Sequence, residues 1–352
     1  MNKNYKKIIL SAAILGLVAM ALFAFKVYGT FFSPNTNFTE GTYEVKIPST
    51  ADYNEAFLLV ADAVEDRDAF HTTAVQKGYH KNVKPGRYIL KPGMSNNDII
   101  NTIRSQNVPV KIRFNNQERL EDLSGRIAQQ IEPDSITLLN TMRDPEFLNK
   151  HGFKDDKALT MYYPNSYEAY WNISAVQFRD KMLTAYHNFW NEERLAKAAK
   201  INLSTHQVYT LASIVHKETA KVDERPRVAG VYMNRYKRGM KLDADPTVIY
   251  AKKLAENNFN QVIKRVLFKD LELDSKYNTY KYATLPPGPI TTPDLNAIDA
   301  VLNYEKHDYF YFVADVTNPD RAGYHKFAKT LAQHNSNAAA YRRWVNQRGI
   351  NR

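Results

Sequence analysis

One carboxylate lies where a predicted helix could use it as an acid. Ser204 and Gln207 form a capping box, which predicts that a helix starts just after Ser204. At about 100° per residue, Glu218 projects between the directions of Leu211 and Ile214, at the margin of the apolar face and near the helix C-terminus. Desolvation on such a margin, together with the negative helix end, raises the pKa of a carboxyl group. A carboxylic acid that keeps its proton near neutral pH is what protonation of a glycosidic oxygen requires.

The same residues leave two other interpretations of Glu218 open. One is an ordinary helix-end carboxylate that pairs with Lys221 or Arg225. The other is a metal site, because the spacing His216-x-Glu218 is also found in zinc deaminases. Those enzymes need two cysteine ligands, and this chain has no cysteine, which also excludes disulfides and thiol nucleophiles. We therefore predict no metal and no cofactor.

Turn residues predict the elements that follow this helix. Asp223 is the expected N-cap of a second helix, with Pro226 in its first turn and Gly239 at its end. A short third helix is expected to follow. The strings YNTY (277–280) and LPPGPI (285–290) favour neither helix nor strand. We predict that both are loops, which is where binding and catalytic residues tend to lie.

The N-terminal segment predicts the cellular compartment in which the protein lies. Residues 8–25 carry no charge, and as a helix of about 27 Å they approach the hydrocarbon thickness of a bilayer, about 30 Å. They are preceded by Lys3, Lys6 and Lys7. Because positive charge stays cytoplasmic, everything after the helix is expected outside the cytoplasm. A signal peptide cleaved near residues 19–21 is the alternative, but the apolar run is longer than the usual core of about 7–15 residues.

The rest of the chain divides into a small module and a larger part. Short predicted strands alternate with amphipathic helices up to residue 131, and Ser95 with Asp98 gives one of these helices a capping box. An irregular stretch at 140–170 and one long helix at 177–199 follow. The predicted parts are a cytoplasmic tail and transmembrane anchor (1–33), a linker (34–42), a small α+β module (43–131), a connecting region (132–202) and a catalytic domain (203–352).

The net charge of the chain indicates which classes of partner it could bind. Lys and Arg number 48 against 37 Asp and Glu, a formal net charge of +11. A basic surface is attracted to anionic lipid, nucleic acid or an acidic polymer. Because the chain is expected to be exported, we favour a membrane surface or a cell-wall polymer over nucleic acid. Much of the excess charge is expected to be ordinary solvated surface.

A series of strings in fixed order is similar to the YceG-like family of endolytic murein transglycosylases. They are LASIVHKET (211–219), ERP (224–226), VAGVYMNR (228–235), GMKL (239–242), DPTVIY (245–250), YNTY (277–280), LPPG (285–288), YFYFVAD (309–315), HKF (325–327) and HN (334–335). The pieces KPGRY (84–88) and PGMS (92–95) are similar to the small module of that family. The resemblance covers nearly the whole chain. It implies an α+β fold made of an N-terminal transmembrane helix, a LysM-like module and a mixed α+β catalytic domain.

The resemblance also implies roles for individual residues. Glu218 matches the family's catalytic acid/base. The first Glu of the usual family string EKET is His216 here, so any supporting role of that Glu is in doubt. Substrate-binding or supporting roles fall on Thr219, Asn234, Asp245, Thr247, Tyr277, Asn278 and Tyr280. A purely structural role is the equal alternative for these, and His325 and His334 are expected to be structural.

The implied activity is cleavage of the β-1,4 bond between N-acetylmuramic acid and N-acetylglucosamine within nascent glycan strands. The product would carry a 1,6-anhydro end, and the cut would end strand elongation beside peptidoglycan synthases at the bacterial cytoplasmic membrane. Two alternatives remain open. One is a hydrolase of the same bond, with Asp245 as the second carboxylate. The other is a glycan-binding scaffold without catalytic activity.

Overall fold

The computed structural model of the chain describes residues 3–318 and 322–347. It consists of two compact units. The first comprises residues 1–112, 129–133 and 167–174, and the second comprises 113–128, 134–166 and 175–352. Strands β3 (Pro109–Phe114) and β4 (Asn165–Tyr170) pair as a two-stranded sheet. The described residues confirm a mixed α+β fold.

The first unit begins with a long apolar helix, α1 (Lys3–Phe32). Its large apolar side chains are exposed; Leu15 and Phe25, for example, are 70% and 77% accessible. Among the described residues, α1 is the one helix long and apolar enough to cross a membrane. The predicted N-terminal apolar helix is therefore present. Its place in a bilayer and its orientation stay predictions.

Asparagine side chains tie the end of α1 to the rest of the first unit. Asn35 is buried, and its Nδ2 donates to the carbonyl of Asp66 (2.9 Å) and to Oδ1 of Asn96 (2.6 Å). Its Oδ1 accepts from the backbone N–H of Asp66 (2.7 Å). Nδ2 of Asn96 donates to the carbonyl of Thr30 in the last turn of α1 (2.8 Å). The chain that leaves the helix is thus held on the surface of this unit.

A two-stranded antiparallel sheet and three helices form the core of the first unit. The strands are β1 (Tyr43–Ile47) and β2 (Gly86–Leu90), with Val45 opposite Tyr88. The helices are α2 (Tyr53–Ala61), α3 (Arg67–Gln76) and α4 (Asn96–Ser105). The predicted capping box at the start of α4 is confirmed, because the Ser95 and Asp98 side chains each accept from the other's backbone N–H. Alternating residues of both strands are buried against the helices.

The second unit is mainly helical. Its helices are α5 (Leu120–Ala128), α6 (Ser135–Met142), α7 (Pro145–His151), α8 (Ala175–Phe189), α9 (Glu192–Lys200), α10 (Thr205–Glu218), α11 (Arg225–Lys237), α12 (Asp245–Ala255), α13 (Phe268–Leu271), α14 (Leu295–Leu302) and α15 (Leu331–Gln347). Strands β5 (Tyr311–Ala314) and β6 (His325–Ala328) form an antiparallel pair with Phe312 opposite Phe327. At the centre lies α10, which packs against α11, α12 and α14.

The sequence dictates both ends of α10. The predicted capping box starts it, because the Ser204 side chain accepts from the backbone N–H of Gln207 (3.2 Å) and the Gln207 side chain accepts from that of Ser204 (2.9 Å). Every residue from 208 to 215 is buried, so this stretch of the helix is enclosed on all sides. Thr219 has extended backbone angles and stops the helix directly after Glu218. The carboxylate of Glu218, the last residue of α10, therefore lies where the helix leaves the core.

Some predicted elements differ from the structure. The single helix predicted at 177–199 is two helices, because the Asn191 side chain accepts from the backbone N–H of Arg194 (3.0 Å) and caps a new helix. The stretch predicted to be irregular contains α7 and β4. Asp223 is not an N-cap: α11 begins at Arg225, and the Asp223 carboxylate accepts from the hydroxyl of Tyr324 (3.0 Å). The predictions of loops at 277–280 and 285–290 are confirmed.

Candidate active site

A cavity of about 370 Å³ opens at the C-terminal end of α10 within the second unit. Its size falls in the range of ligand-binding clefts. Its walls come from the ends of α10 and α11, the loop before α12, strand β5 and the start of α15. The lining residues are Glu218, Tyr232, Arg235, Leu242, Asp243, Asp245, Tyr280, Tyr311, Phe312, Leu331 and His334. Acidic, basic and aromatic side chains thus converge on one opening.

Glu218 is a half-buried carboxyl group with one direct hydrogen-bond donor. The hydroxyl of Tyr232 donates to its Oε2 (3.0 Å). Burial raises the pKa of Glu218 to about 7, well above its ordinary value of 4.5. The Tyr232 hydrogen bond and the electrostatic effects of His325 and Arg235 oppose this rise, and that of Asp245 adds to it. The expected effect of desolvation on this carboxyl is confirmed. Near neutral pH, Glu218 can therefore exchange readily between acid and carboxylate.

The phenol of Tyr232 is expected to lower the pKa of Glu218 as well as to pack in the core. In Tyr232→Phe the ring still packs edge-on against Phe312, whose centroid is 5.8 Å away, but the donor to Oε2 is lost. Because that bond lowers the Glu218 pKa, the alkaline limb of the rate profile should move to higher pH. The rate should fall by about 10- to 100-fold, since a hydrogen bond to a charged group contributes about 1.5–3 kcal/mol. Measuring cleavage rate against pH in both proteins tests this.

Tyr209→Phe is the matched control for that variant. Tyr209 also lies in the buried core, and its hydroxyl donates to the carbonyl of Tyr162 away from the cavity. Its loss should lower the melting temperature and leave the alkaline limb in place. An unshifted limb in Tyr232→Phe would contradict the role assigned to the phenol.

The other two carboxylates of the cavity already have partners. Asp245 Oδ1 accepts from the Tyr280 hydroxyl (2.7 Å). Asp243 pairs with Arg235 (3.0 Å), whose guanidinium also donates to the carbonyls of Leu242 (2.8 Å) and Phe310 (2.6 Å). Burial raises the pKa of Asp243 as well, and its ion pair with Arg235 opposes the rise. One of these carboxylates is thus engaged by a phenol and the other by a guanidinium.

The structure brings three of the predicted site residues together in the cavity: Glu218, Asp245 and Tyr280. The others lie outside the cavity lining. Nδ2 of Asn234 donates to the carbonyls of His307 (2.8 Å) and Tyr309 (3.0 Å), and Nδ2 of Asn278 donates to those of Leu271 (2.8 Å) and Leu273 (2.9 Å). Thr247, Thr219 and Tyr277 are buried outside the cavity lining.

Sequence reasoning missed several lining residues, above all Tyr232, Arg235 and Phe312. Tyr232 lies within α11, and no local sequence pattern marks its hydroxyl as a donor to Glu218. The signal that could have found two of them is spacing. Tyr232 and Arg235 are three residues apart and therefore share one helix face. The aromatic run at 309–312 is a local sign of the β5 wall.

His216 lies beside the cavity lining in a separate polar cluster. Its Nδ1 is 3.3 Å from Oδ2 of Asp294, which also accepts from the buried guanidinium of Arg225 (3.1 Å). Burial lowers the pKa of His216, which favours the neutral ring at neutral pH. Arg225 also donates to the carbonyl of Thr219, the residue that ends α10 (3.4 Å). The cluster therefore helps to fix the position of the helix end that carries Glu218.

Several known proteins are similar to this chain. The model of the YceG-like family matches residues 45–340, which include every residue of the cavity. An endolytic murein transglycosylase of Bacillus subtilis is 29% identical over 334 residues, which cover 90% of this chain and 89% of that protein. One of Streptococcus pneumoniae is 37% identical over 140 residues, which cover 40% of this chain and 24% of that protein. A crystal structure of a yceG-like protein from Listeria monocytogenes superposes with a TM-score of 0.54 at 28% identity, covering 84% of this chain and 98% of that one.

Proposed function

Because the chain belongs to the YceG-like family, we propose that it is an endolytic peptidoglycan transglycosylase with Glu218 as its acid and base. Relatives that carry this activity in their names support the reaction class. The observation that carries the assignment of the residue is the half-buried Glu218 carboxyl, whose pKa is raised to about 7 in an open cavity. A single group with this pKa can serve both halves of a transglycosylation.

The proposed reaction cleaves the β-1,4 bond between N-acetylmuramic acid and N-acetylglucosamine. Protonated Glu218 gives its proton to the departing glycosidic oxygen as the C1–O bond breaks. The resulting carboxylate then takes the proton of the muramoyl 6-hydroxyl as that oxygen bonds to C1. The strand ends in a 1,6-anhydro ring, no water is consumed, and Glu218 returns to its protonated form. One carboxyl group suffices, whereas most glycosidases need a pair.

Roles for other cavity residues follow from their geometry. Tyr232 stabilises the carboxylate of Glu218 through its hydrogen bond, and the ion pair of Arg235 with Asp243 fixes the wall beside it. The Tyr280–Asp245 pair presents a polar edge to which sugar hydroxyls can bind. The rings of Tyr311 and Phe312 line the cavity, and aromatic rings suit the apolar faces of sugars.

The placement of the enzyme is part of the same proposal. In this view α1 anchors the chain in the cytoplasmic membrane with its N-terminus inside, and residues 43–131 act as a LysM-like module on the outer side. The exposed apolar side chains of α1 and its lysine-bearing N-terminus support this orientation. The Asn35 side chain donates hydrogen bonds to Asp66 and Asn96, and these bonds support the placement of the module close to the end of α1. Anchoring would restrict cutting to newly made strands beside the synthases, where a cut ends elongation.

The raised pKa predicts how activity depends on pH. Glu218 stays protonated up to about pH 7, where an ordinary glutamic acid would already be ionised. The value of kcat/KM should therefore hold through pH 5–6.5 and fall above about pH 7 as the acid form is lost. The measurement is the rate of end formation from purified peptidoglycan between pH 4.5 and 9. An alkaline limb near pH 4.5 would show that an unperturbed carboxyl, and not the buried Glu218, supplies the proton.

A further inference from the structure

A buried carboxylate and an imidazole form a close pair behind the end of α10. Nδ1 of His325 lies 2.7 Å from Oε2 of Glu224, and the backbone N–H of His325 donates to Oε1 of the same carboxylate (2.8 Å). The side chain of Glu224 is only 2% exposed and that of His325 is 14% exposed. Both carboxylate oxygens therefore contact the same residue of β6. The sequence alone indicated only a structural histidine.

Two lines of contact connect this pair to Glu218. The hydroxyl of Thr219, the residue after Glu218, donates to Oε2 of Glu224 (3.3 Å). On the other side, the ring of Phe312 packs edge-on against both His325 (5.0 Å) and Tyr232 (5.8 Å), the residue that donates to Glu218. The imidazole is thus close enough for its charge to favour the ionised form of Glu218.

We propose that Glu224 and His325 are a positioning pair that stabilises the carboxylate form of Glu218 between the two halves of the reaction. This inference rests on the proposed function. The carboxylate of Glu224 holds the ring of His325 in one orientation, as a carboxylate partner does for catalytic imidazoles. The ring in its charged form then favours the negative charge that develops when Glu218 gives up its proton. No proton passes through His325 in this account.

The other groups that face Glu218 cannot replace this charge. They are Tyr232 and Arg235 on α11, Asp245 on α12 and Tyr280 in the loop that follows. Arg235 is held by Asp243 and a backbone carbonyl and has a smaller effect on Glu218 than His325 has, and Tyr280 is bound to Asp245. Asp245 is itself negative and disfavours a second carboxylate. After the hydrogen bond from Tyr232, His325 therefore has the largest effect that opposes the burial of an ionised Glu218.

The test compares His325→Gln and Glu224→Gln with the wild type in the full-length protein. Both substitutions keep the size and a hydrogen-bonding end of the side chain. His325→Gln removes the cation, and Glu224→Gln removes the carboxylate that stabilises it, so in both variants Glu218 should become a weaker acid and the alkaline limb of kcat/KM should move to higher pH. The value of kcat should fall by about tenfold or more, within the effect of general acid–base groups. KM should change little, because neither residue lines the cavity.

His187→Gln is the control for removing a histidine, since His187 is exposed on α8. It should leave both the rate and the limb unchanged. His325→Gln and Glu224→Gln could instead lower the melting temperature or the rate while the alkaline limb of kcat/KM stays at its wild-type pH. In that case the pair has only a structural role and the inference is wrong. If one variant does not fold, the limb of the other decides. A wild type that forms no anhydro ends would overturn the proposed function instead.

Discussion

Glu218→Gln is expected to remain folded and to lose cleavage almost completely. Glutamine has the size of the native side chain and can still accept from the Tyr232 hydroxyl, but it can neither give nor take a proton. General acid–base groups contribute about 10²–10⁴-fold, and we expect the upper part of this range because one group serves both steps. The measurement is the rate of end formation from purified peptidoglycan at pH 6, with the wild type in parallel.

Thermal unfolding provides the control for this variant. The raised pKa of Glu218 predicts the sign of the change in stability with pH. The folded-state pKa of Glu218 is raised from 4.5 to about 7, so the fold favours the protonated form. The stability that this group contributes is therefore present below about pH 4.5 and is lost as the pH rises through 7. Glutamine does not ionise, so Glu218→Gln should be at least as stable as the wild type at pH 8. Near-normal cleavage by a folded Glu218→Gln would remove Glu218 from the mechanism.

Gly230→Ala is expected to destabilise the second unit despite the better helix propensity of alanine. Gly230 lies in the middle of α11, where alanine is normally more stable by about 0.5–1 kcal/mol. A Cβ atom there would collide with the backbone carbonyl of Glu305 and lie 2.6 Å from Nε2 of His307. Both neighbours are fixed, because the backbone N–H of Glu305 donates to Pro226 (2.9 Å) and His307 Nε2 lies 2.9 Å from the carbonyl of Arg227. Overpacking of this kind costs about 1–3 kcal/mol.

Gly125→Ala is the matched control, since Gly125 lies inside α5 and an added methyl group there would meet no neighbouring atom within 4 Å. Chemical denaturation should show a gain of up to about 1 kcal/mol for Gly125→Ala and a loss for Gly230→Ala. The loss should extend to activity, because Asn234 and Tyr232 are on the same helix. A gain at both positions would show that the segment after α14 does not pack closely on α11.

Local patterns predicted the part of the site that depends on one helix. The capping box at Ser204 and the apolar spacing of α10 were enough to place Glu218 at the end of a buried helix and to predict the direction of its pKa shift. These features depend on residues within one or two turns. The same reasoning works for the start of α4, where Ser95 and Asp98 are three residues apart.

The rest of the site depends on contacts between distant parts of the chain. Asn234 is bound to carbonyls 73 and 75 residues away, and His325 pairs with a carboxylate 101 residues away. A polar residue in a predicted loop or helix carries no local sign of such a partner. Sequence reasoning therefore found residues that matter without separating those that face the cavity from those that hold it together. The division of the predicted helix at 177–199 was missed for a different reason, since a single Asn at position 191 competes with a continuous amphipathic pattern.

The chemical identity of the new strand ends is the decisive test of transglycosylation by Glu218. The full-length protein in detergent would be incubated with purified peptidoglycan, with Glu218→Gln alongside, and the new ends identified by mass spectrometry. We expect 1,6-anhydro ends from cuts within strands by the wild type and none by Glu218→Gln. Reducing ends would contradict this expectation, because they require water as the nucleophile, and would direct attention to Asp245 as a second carboxylate.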